Sequence, residues 1–209
     1  MRTVPLTQKT LALAARELAA RDRLLANIHA THGDPPLWQR PSGFRTLVHI
    51  ILEQQVSLGS AKSMLTRLET AIRPFTPERF LVLGESYLRS LGVTRQKSAY
   101  LVHLSESIVS GELSFRRLSR LSDDEVLLRL TRIKGIGLWS ANIYLLMAMR
   151  RADIWPAGDL ALAVAIQELK GLTARPSPEE LEQIAEAWRP HRAVAARMLW
   201  QYYLGRKAS

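Results

Sequence analysis

Apolar residues recur at steps of three and four along almost the whole chain, and this spacing limits the possible folds more than any other feature. They form one such stripe from Leu6 to His32, where Gly33 and the prolines after it end the helix. Serine-to-glutamate capping boxes begin two later helices, at Ser122 and Ser177. No segment alternates apolar and polar residues as a strand does. The pattern predicts an all-α protein of about ten helices joined by short loops.

The chain has no obvious linker that would divide it into successive domains. Its 209 residues suffice for one good-sized core or for two small lobes that share a cleft. Because no linker separates two such lobes, they have to be interleaved. We therefore expect a single domain over 1–209, with two interleaved helical lobes and a cleft between them.

Several classes of protein are excluded by composition. The chain has no cysteine, which rules out disulfides, thiolate zinc sites, cysteine nucleophiles and an iron–sulfur cluster. No apolar run approaches the ~20 residues needed to cross a bilayer, and the N-terminus lacks the apolar segment of a signal peptide. We expect a cytoplasmic protein without a membrane partner, associated with the nucleoid if the source is bacterial.

The net charge favours a polyanionic partner. Lys and Arg number 29 against 19 Asp and Glu, which leaves +10 at pH 7. Nucleic acid is the commonest partner of so basic a protein. An anionic membrane surface fits less well, because the basic residues are scattered rather than gathered on one amphipathic face.

The sequence IKGIGLWSAN, which begins at Ile133, places two glycines between two predicted helices. A single glycine would be enough for a helix C-cap and turn. The pair Gly135 and Gly137 also leaves bare amides at the start of the next helix, which is a favourable place for an anion. Lys134 adds a cation there, and Ser140 adds a hydroxyl. These residues predict a helix-hairpin-helix that holds a DNA phosphate without reading the base sequence.

Asp159 is the candidate catalytic residue. It follows the apolar segment Ile-Trp-Pro-Ala-Gly and precedes an apolar helix, so one role open to it is that of an N-cap. The same position would fix a carboxylate at the rim of a cleft. Cleavage of an N-glycosidic bond develops positive charge on the sugar, and one fixed carboxylate can stabilise that charge and help to activate water.

The segment IKGIGLWSANIYLLMAMRRADIWPAGDLAL resembles the helix-hairpin-helix (HhH-GPD) DNA glycosylase superfamily, most closely its 3-methyladenine DNA glycosylase II (AlkA-like) branch. Asp159 lies 22 residues after Gly137, where the family keeps its catalytic aspartate. The segments IILEQQVSLGSAKSM from Ile50 and WRPHRAVAARMLWQYY from Trp188 are similar to other family helices. The resemblance covers roughly Arg40 to Gly205 and leaves no room for the N-terminal β-domain of larger members.

The resemblance implies a monofunctional DNA glycosylase. Such an enzyme excises alkylated purines such as 3-methyladenine and 7-methylguanine in base excision repair, by base flipping and hydrolysis. Asp159 would be catalytic, and Trp139, Trp200 and Tyr144 would line the base pocket, where aromatic faces favour cationic bases. Gln55 would be the wedge that fills the gap left by the flipped base.

The resemblance also bears on cofactors and partners. Bifunctional relatives carry a Schiff-base lysine at the position of Trp139, so no lyase activity is expected. No cofactor is required, although the family's hairpin binds a monovalent cation through backbone carbonyls, which here would be those of Thr131, Ile133 and Ile136. The expected partner is double-stranded DNA that contains damaged bases, bound by a monomer.

Two other functions remain open at the level of sequence. One is a non-catalytic DNA-binding module that uses the hairpin only to hold the backbone, for which Asp159 has no evident purpose. The other is a glycosylase for neutral damaged bases such as hypoxanthine, ethenoadenine or uracil. That activity would require specific hydrogen-bond donors in the pocket.

Overall fold

The computed structural model describes residues 4–206, and every regular element in that range is a helix. The predicted all-α class is therefore confirmed. The chain ends at 1–3 and 207–209, which the predicted domain included, lie outside the described residues. Twelve helices occupy the described range: α1 (Gln8–Arg21), α2 (Arg23–His32), α3 (Phe44–Glu53), α4 (Leu58–Ala71), α5 (Pro77–Ser90), α6 (Arg95–Val109), α7 (Phe115–Leu118), α8 (Asp123–Thr131), α9 (Leu138–Met147), α10 (Leu160–Lys170), α11 (Pro178–Glu186) and α12 (Arg192–Gly205).

The number of helices exceeds the predicted ten partly because the apolar stripe from Leu6 to His32 forms two helices, α1 and α2. Asp22 adopts an extended backbone (φ −133°, ψ 115°) between α1 and α2. Its Oδ1 accepts hydrogen bonds from the amides of Leu24 and Leu25 at 2.8 and 3.2 Å, which caps α2. Its Oδ2 accepts a third from the Trp188 indole at 2.7 Å. A long-range contact therefore stabilises a break that the continuous apolar spacing concealed.

The described residues divide into two compact units. The first comprises Arg40–Tyr144, and the second comprises 4–39 together with 145–206. The second unit thus uses both ends of the described chain, which is the interleaved connectivity that the lack of a linker predicted. Helix α9 contributes residues 138–144 to the first unit and 145–147 to the second. The cleft and the single-domain organisation stay predictions.

The first unit is organised around α3, which packs against α4 and α6, while α5 packs against α6. Leu47, Ile50 and Ile51 of α3 are fully buried. Phe44 and Phe80 meet edge to face, with ring centroids 5.0 Å apart. This packing holds both ends of α3. The C-terminal end, at Glu53, leads directly into the candidate site.

The second unit is organised around α12. Eight consecutive residues of this helix, Ala193 to Trp200, are buried, so it is enclosed on all sides. It packs against α1, α2, α10 and α11. The candidate residue Trp200 is the last of the eight, and Asp159 lies at the start of the packed helix α10.

One of the buried α12 residues is charged. The Arg197 side chain is fully buried, and its guanidinium donates to three backbone carbonyls: Leu37 at 3.0 Å, Ala193 at 2.9 Å and Leu146 at 2.7 Å. Burial lowers the pKa of Arg197 to about 9, so the group keeps its charge at neutral pH. It therefore joins α12 to α9 and to the segment after α2.

Candidate functional site

Gly135, in the turn between α8 and α9, is a glycine for reasons of packing. Its backbone is left-handed, with φ +94°, a conformation that residues with a Cβ rarely adopt. A Cβ at this position would lie 2.2 Å from Cγ of Tyr100 on α6. The missing side chain therefore lets an aromatic ring lie directly against the hairpin.

Gly137 is in a different environment. It has an ordinary φ, is exposed, and an added Cβ would meet no atom within 4 Å. It immediately precedes α9, and its carbonyl accepts the amide of Ala141 at 3.0 Å as part of that helix. The start of α9 carries the positive end of the helix dipole, and the nearby Lys134 is exposed. Gly137 and Lys134 are thus both exposed beside the start of α9, and the anion site there stays a prediction.

Ser140 does not have the exposed position expected of a phosphate ligand. Only 2% of its surface is exposed, and its hydroxyl accepts a hydrogen bond from the Gln54 carboxamide at 2.9 Å. The same Gln54 nitrogen donates to the carbonyl of Gly135 at 2.8 Å. Ser140 and Gly135 therefore anchor the hairpin to the end of α3 through a side-chain hydroxyl and a carbonyl, and their predicted binding of DNA stays a prediction.

The turn between α3 and α4 presents Gln55, the predicted wedge. Gln55 is exposed and left-handed, with φ +58°, an uncommon conformation for a residue other than glycine. The neighbouring Val56 and Leu58 are 47% and 60% exposed. An exposed apolar rim with a strained polar residue at its tip suits contact with a macromolecule.

Lys97 supports this turn from α6, and no sequence pattern pointed to it. Its ammonium donates to the carbonyls of Leu52 and Gln54 at 2.7 and 2.8 Å, which satisfies the C-terminal end of α3. Partial burial lowers the pKa of Lys97 below its usual range. Lys97 and the Gln54 carboxamide together fix the backbone on which Gln55 is presented.

Asp159 caps α10 and also contacts an aromatic residue of the predicted site. Its Oδ1 accepts hydrogen bonds from the amide of Leu162 and from the Trp200 indole, both at 3.1 Å. Both Asp159 and Trp200 are 8% exposed. The N-cap role and the catalytic role of Asp159 are thus compatible. The carboxylate that caps α10 also accepts the hydrogen bond from the Trp200 indole.

The other two predicted pocket residues belong to the first unit. Trp139 is half-buried in the first turn of α9. Tyr144 is fully buried, and its hydroxyl bonds to the Ser42 hydroxyl at 2.5 Å and accepts the amide of Gly43 at 3.2 Å. Burial raises the pKa of Tyr144. The structure places Tyr144 in the core, where it fixes the start of α3, rather than on a pocket wall.

The comparison with protein families gives a match that covers most of the chain. A family model described as HhH-GPD superfamily base excision DNA repair protein matches residues 48–190, which is more than half of the chain. The chain belongs to this superfamily. The match includes the Gln55 turn, the hairpin, α9 and Asp159.

Two curated relatives have names that refer to DNA glycosylases or glycosidases. An alkylbase DNA glycosidase-like protein from Schizosaccharomyces pombe is 25% identical over 195 residues, which are 90% of this chain and 92% of that protein. A DNA-3-methyladenine glycosylase from Bacillus subtilis is 28% identical over 173 residues, 77% of this chain. The chain spans 57% of that protein's length and 64% of a second Bacillus subtilis relative.

A solved structure shows the same fold. The Schizosaccharomyces pombe 3-methyladenine DNA glycosylase, solved in complex with abasic DNA, superimposes with a TM-score of 0.81 and 26% identity. The match covers 90% of this chain and 95% of that one. The HhH-GPD fold therefore extends beyond the residues that the family model matches.

Two further findings concern metal ions and membranes. Over residues 4–206, no cluster of three or more histidine, aspartate or glutamate side chains is arranged to hold a metal ion. None of the helices in that range is both long and apolar enough to cross a membrane. A monovalent cation at backbone carbonyls would need no such cluster, so the predicted site at Thr131, Ile133 and Ile136 stays a prediction.

The two hairpin glycines should respond differently to the same substitution. Gly135→Ala should lower the free energy of unfolding by about 2–4 kcal/mol, because alanine disfavours the left-handed backbone and its Cβ would overlap the Tyr100 ring. Gly137→Ala should change it by less than about 1 kcal/mol, because the added methyl group meets nothing. Urea denaturation measures both, and equal losses in the two variants would contradict the assignment.

Proposed function

We propose that the protein is a monofunctional DNA glycosylase that excises alkylated purines of the 3-methyladenine and 7-methylguanine type. It would hydrolyse the N-glycosidic bond of a flipped nucleotide in base excision repair, acting as a monomer on double-stranded DNA. The observation that carries the proposal is the Asp159 carboxylate, held by a helix-start amide and by the Trp200 indole. The names of the curated relatives support the same reaction and substrate class.

Asp159 supplies the negative charge that the reaction needs. As the bond between C1′ and the base breaks, its electrons leave with the base and positive charge develops on the sugar. A carboxylate oriented by two donors can stabilise that charge without reorganising. Water then adds to C1′, and its proton passes to Asp159 or to solvent, which leaves an abasic sugar.

The reaction needs no second acid to protonate the base, because of the charge that the base already carries. An N-alkylated purine is already a cation, so it leaves as a neutral molecule and needs no proton. An electron-rich aromatic face favours such a cation over a neutral purine. Trp139 and Trp200 are the proposed base-contacting indoles.

The reaction should stop at the abasic site. Trp139 occupies the position at which bifunctional members of the superfamily carry a lysine, and an indole nitrogen cannot form a Schiff base. The proposed product is therefore an intact strand that contains an abasic sugar.

The hairpin is the proposed site of backbone binding. An exposed Gly137 allows a phosphate to approach the amides at the start of α9, and Lys134 supplies a positive charge beside it. The Schizosaccharomyces pombe relative, solved with abasic DNA, supports DNA as the partner. The expected cytoplasmic or nucleoid location follows from that substrate.

We also propose a monovalent cation at the hairpin, held by the carbonyls of Thr131, Ile133 and Ile136. The Ile133 carbonyl already accepts the amide of Ile136 at 3.0 Å, and its second lone pair can serve an ion. When bound, the ion would add positive charge where the phosphate approaches. No catalytic step depends on it.

Removal of the Asp159 charge tests the catalytic role. Asp159→Asn keeps the cap and an oxygen for the Trp200 indole, so the fold should hold. Release of 7-methylguanine from methylated duplex DNA, followed under single-turnover conditions, should fall by at least ~100-fold. Asp124→Asn, which removes an exposed carboxylate in the first turn of α8, is the matched control. Full activity in Asp159→Asn would overturn the role.

The products of that reaction distinguish the related functions. The wild-type protein should leave strands that break only after alkali, and borohydride should trap no covalent adduct. Release of hypoxanthine or uracil in preference to methylated purines would favour a glycosylase for neutral bases. Binding of DNA without release of any base would favour a non-catalytic module.

Substitutions in the hairpin test the phosphate site. Gly137→Asp should weaken the binding of damaged and undamaged duplexes alike, because it brings a negative charge to the phosphate. Lys134→Ala should reduce the slope of log affinity against log salt by about one. Lys9→Ala, an exposed lysine on α1, is the control for the loss of one charge. Gly137→Asp protein that folds and binds DNA as tightly as wild type would exclude the site.

The side chain of Gln55 can be removed without altering its backbone. Glycine accepts the observed φ of +58°, so Gln55→Gly should preserve the turn, and Gln55→Ala provides a second test. If Gln55 is the wedge, excision should fall most for a lesion in a stable base pair. It should fall least in single strands or mispairs, where flipping is easy. An equal loss on both substrates would argue against a wedge.

A further inference from the structure

Trp38 is held in a conformation that is unfavourable for a tryptophan. Its φ is +44°, in the left-handed region that bulky residues avoid. It lies between α2 and the first residue of the first unit and is half-buried. Such a conformation costs about 1–3 kcal/mol and persists only where the surroundings fix it, which occurs often at ligand sites.

The buried Arg197 fixes the segment that carries Trp38. Its Nε donates to the carbonyl of Leu37, the residue before Trp38, at 3.0 Å. The other nitrogens of the same guanidinium are committed to α12 and α9 through Ala193 and Leu146. Because Arg197 is fully buried in a packed helix, its hydrogen bond joins the Leu37 carbonyl to the core of the second unit.

The Trp38 ring contacts the aromatic residue that binds the catalytic carboxylate. The ring centroids of Trp38 and Trp200 are 6.3 Å apart, with an angle of 61° between the planes. The indole nitrogen of Trp200 in turn donates to Asp159 at 3.1 Å. A continuous series of contacts, all within the second unit, therefore runs from the half-buried Trp38 to the carboxylate.

This set of groups suits a flat cation. An aromatic face attracts positive charge through its quadrupole, and tryptophan does so most strongly. A carboxylate in contact with one of the two indoles adds to the same attraction. A neutral purine would gain stacking from the rings but little from the charge.

We propose that Trp38 is a base-binding residue of this glycosylase and contacts the extruded N-alkylated purine beside Trp200. The inference rests on the proposed function and adds a second indole from the second unit to its base contacts. The strained backbone is maintained because it directs this ring to the base.

The test compares substitutions that retain or remove an aromatic face. Trp38→Phe keeps a smaller ring, whereas Trp38→Leu keeps apolar bulk without one. On duplex DNA that contains 7-methylguanine, the single-turnover excision rate should fall about tenfold in Trp38→Leu and by clearly less in Trp38→Phe. Trp155→Phe, which alters a buried tryptophan packed against Trp188, is the matched control and should keep the wild-type rate.

Affinity for DNA without a target base separates base contact from a structural role. Abasic duplex DNA offers no base to Trp38, so both variants should bind it within about twofold of wild type. Equal rates in wild type and both variants would overturn the role of Trp38. Equal losses of excision rate in Trp38→Phe and Trp38→Leu, together with weaker binding of abasic DNA, would also overturn it. That result would indicate that Trp38 acts only in packing. If the wild-type protein released no alkylated base, both the proposed function and this inference would fail.

Discussion

One buried guanidinium connects the segments from which the second unit is built. Arg197 donates to carbonyls of α12, of α9 and of the segment after α2. Its removal would leave buried acceptors unpaired, at a cost of about 1–3 kcal/mol for each. The three segments are distant in sequence, so no local interaction could replace it. Arg197 holds the residue before Trp38, and the helix that carries Arg197 also carries Trp200.

The first unit depends on a comparable polar contact. The carboxamide of Gln54 bonds to the carbonyl of Gly135 and to the hydroxyl of Ser140, which links the end of α3 to the hairpin. Lys97 satisfies the carbonyls at the same end of α3. The exposed Gln55 turn and the exposed start of α9 are therefore held in a fixed relation. Two elements proposed to touch DNA thus behave as one surface.

Each unit supplies a different part of the proposed chemistry. The first contributes backbone amides, a lysine and the strained turn, which suit binding of a phosphodiester chain. The second contributes a carboxylate, oriented by a helix-start amide and an indole, which suits stabilisation of a sugar cation. Neither task requires a metal cluster or a cysteine.

Some features of this protein follow from sequence because their causes are local. Apolar spacing and capping boxes predicted the helical class, and the two glycines with Lys134 predicted the hairpin, since each depends on residues a few positions apart. Asp159 was identifiable as an N-cap because it directly precedes the helix that it caps. The break at Asp22 was not, because its third partner, Trp188, lies 166 residues away.

Tertiary structure alone decided which of the predicted residues face outward. The hydroxyl of Ser140 is held by a glutamine from α3, and a ring from α6 packs against Gly135, and neither contact has a local sequence signal. Tyr144 lies five residues after Trp139 on the same helix but is buried with its hydroxyl against Ser42. Trp38 has no local signal, because the arginine that holds the carbonyl of the preceding Leu37 lies 160 positions later. Sequence thus determined the helices and the types of chemical group, whereas long-range packing determined which groups remain available to a ligand.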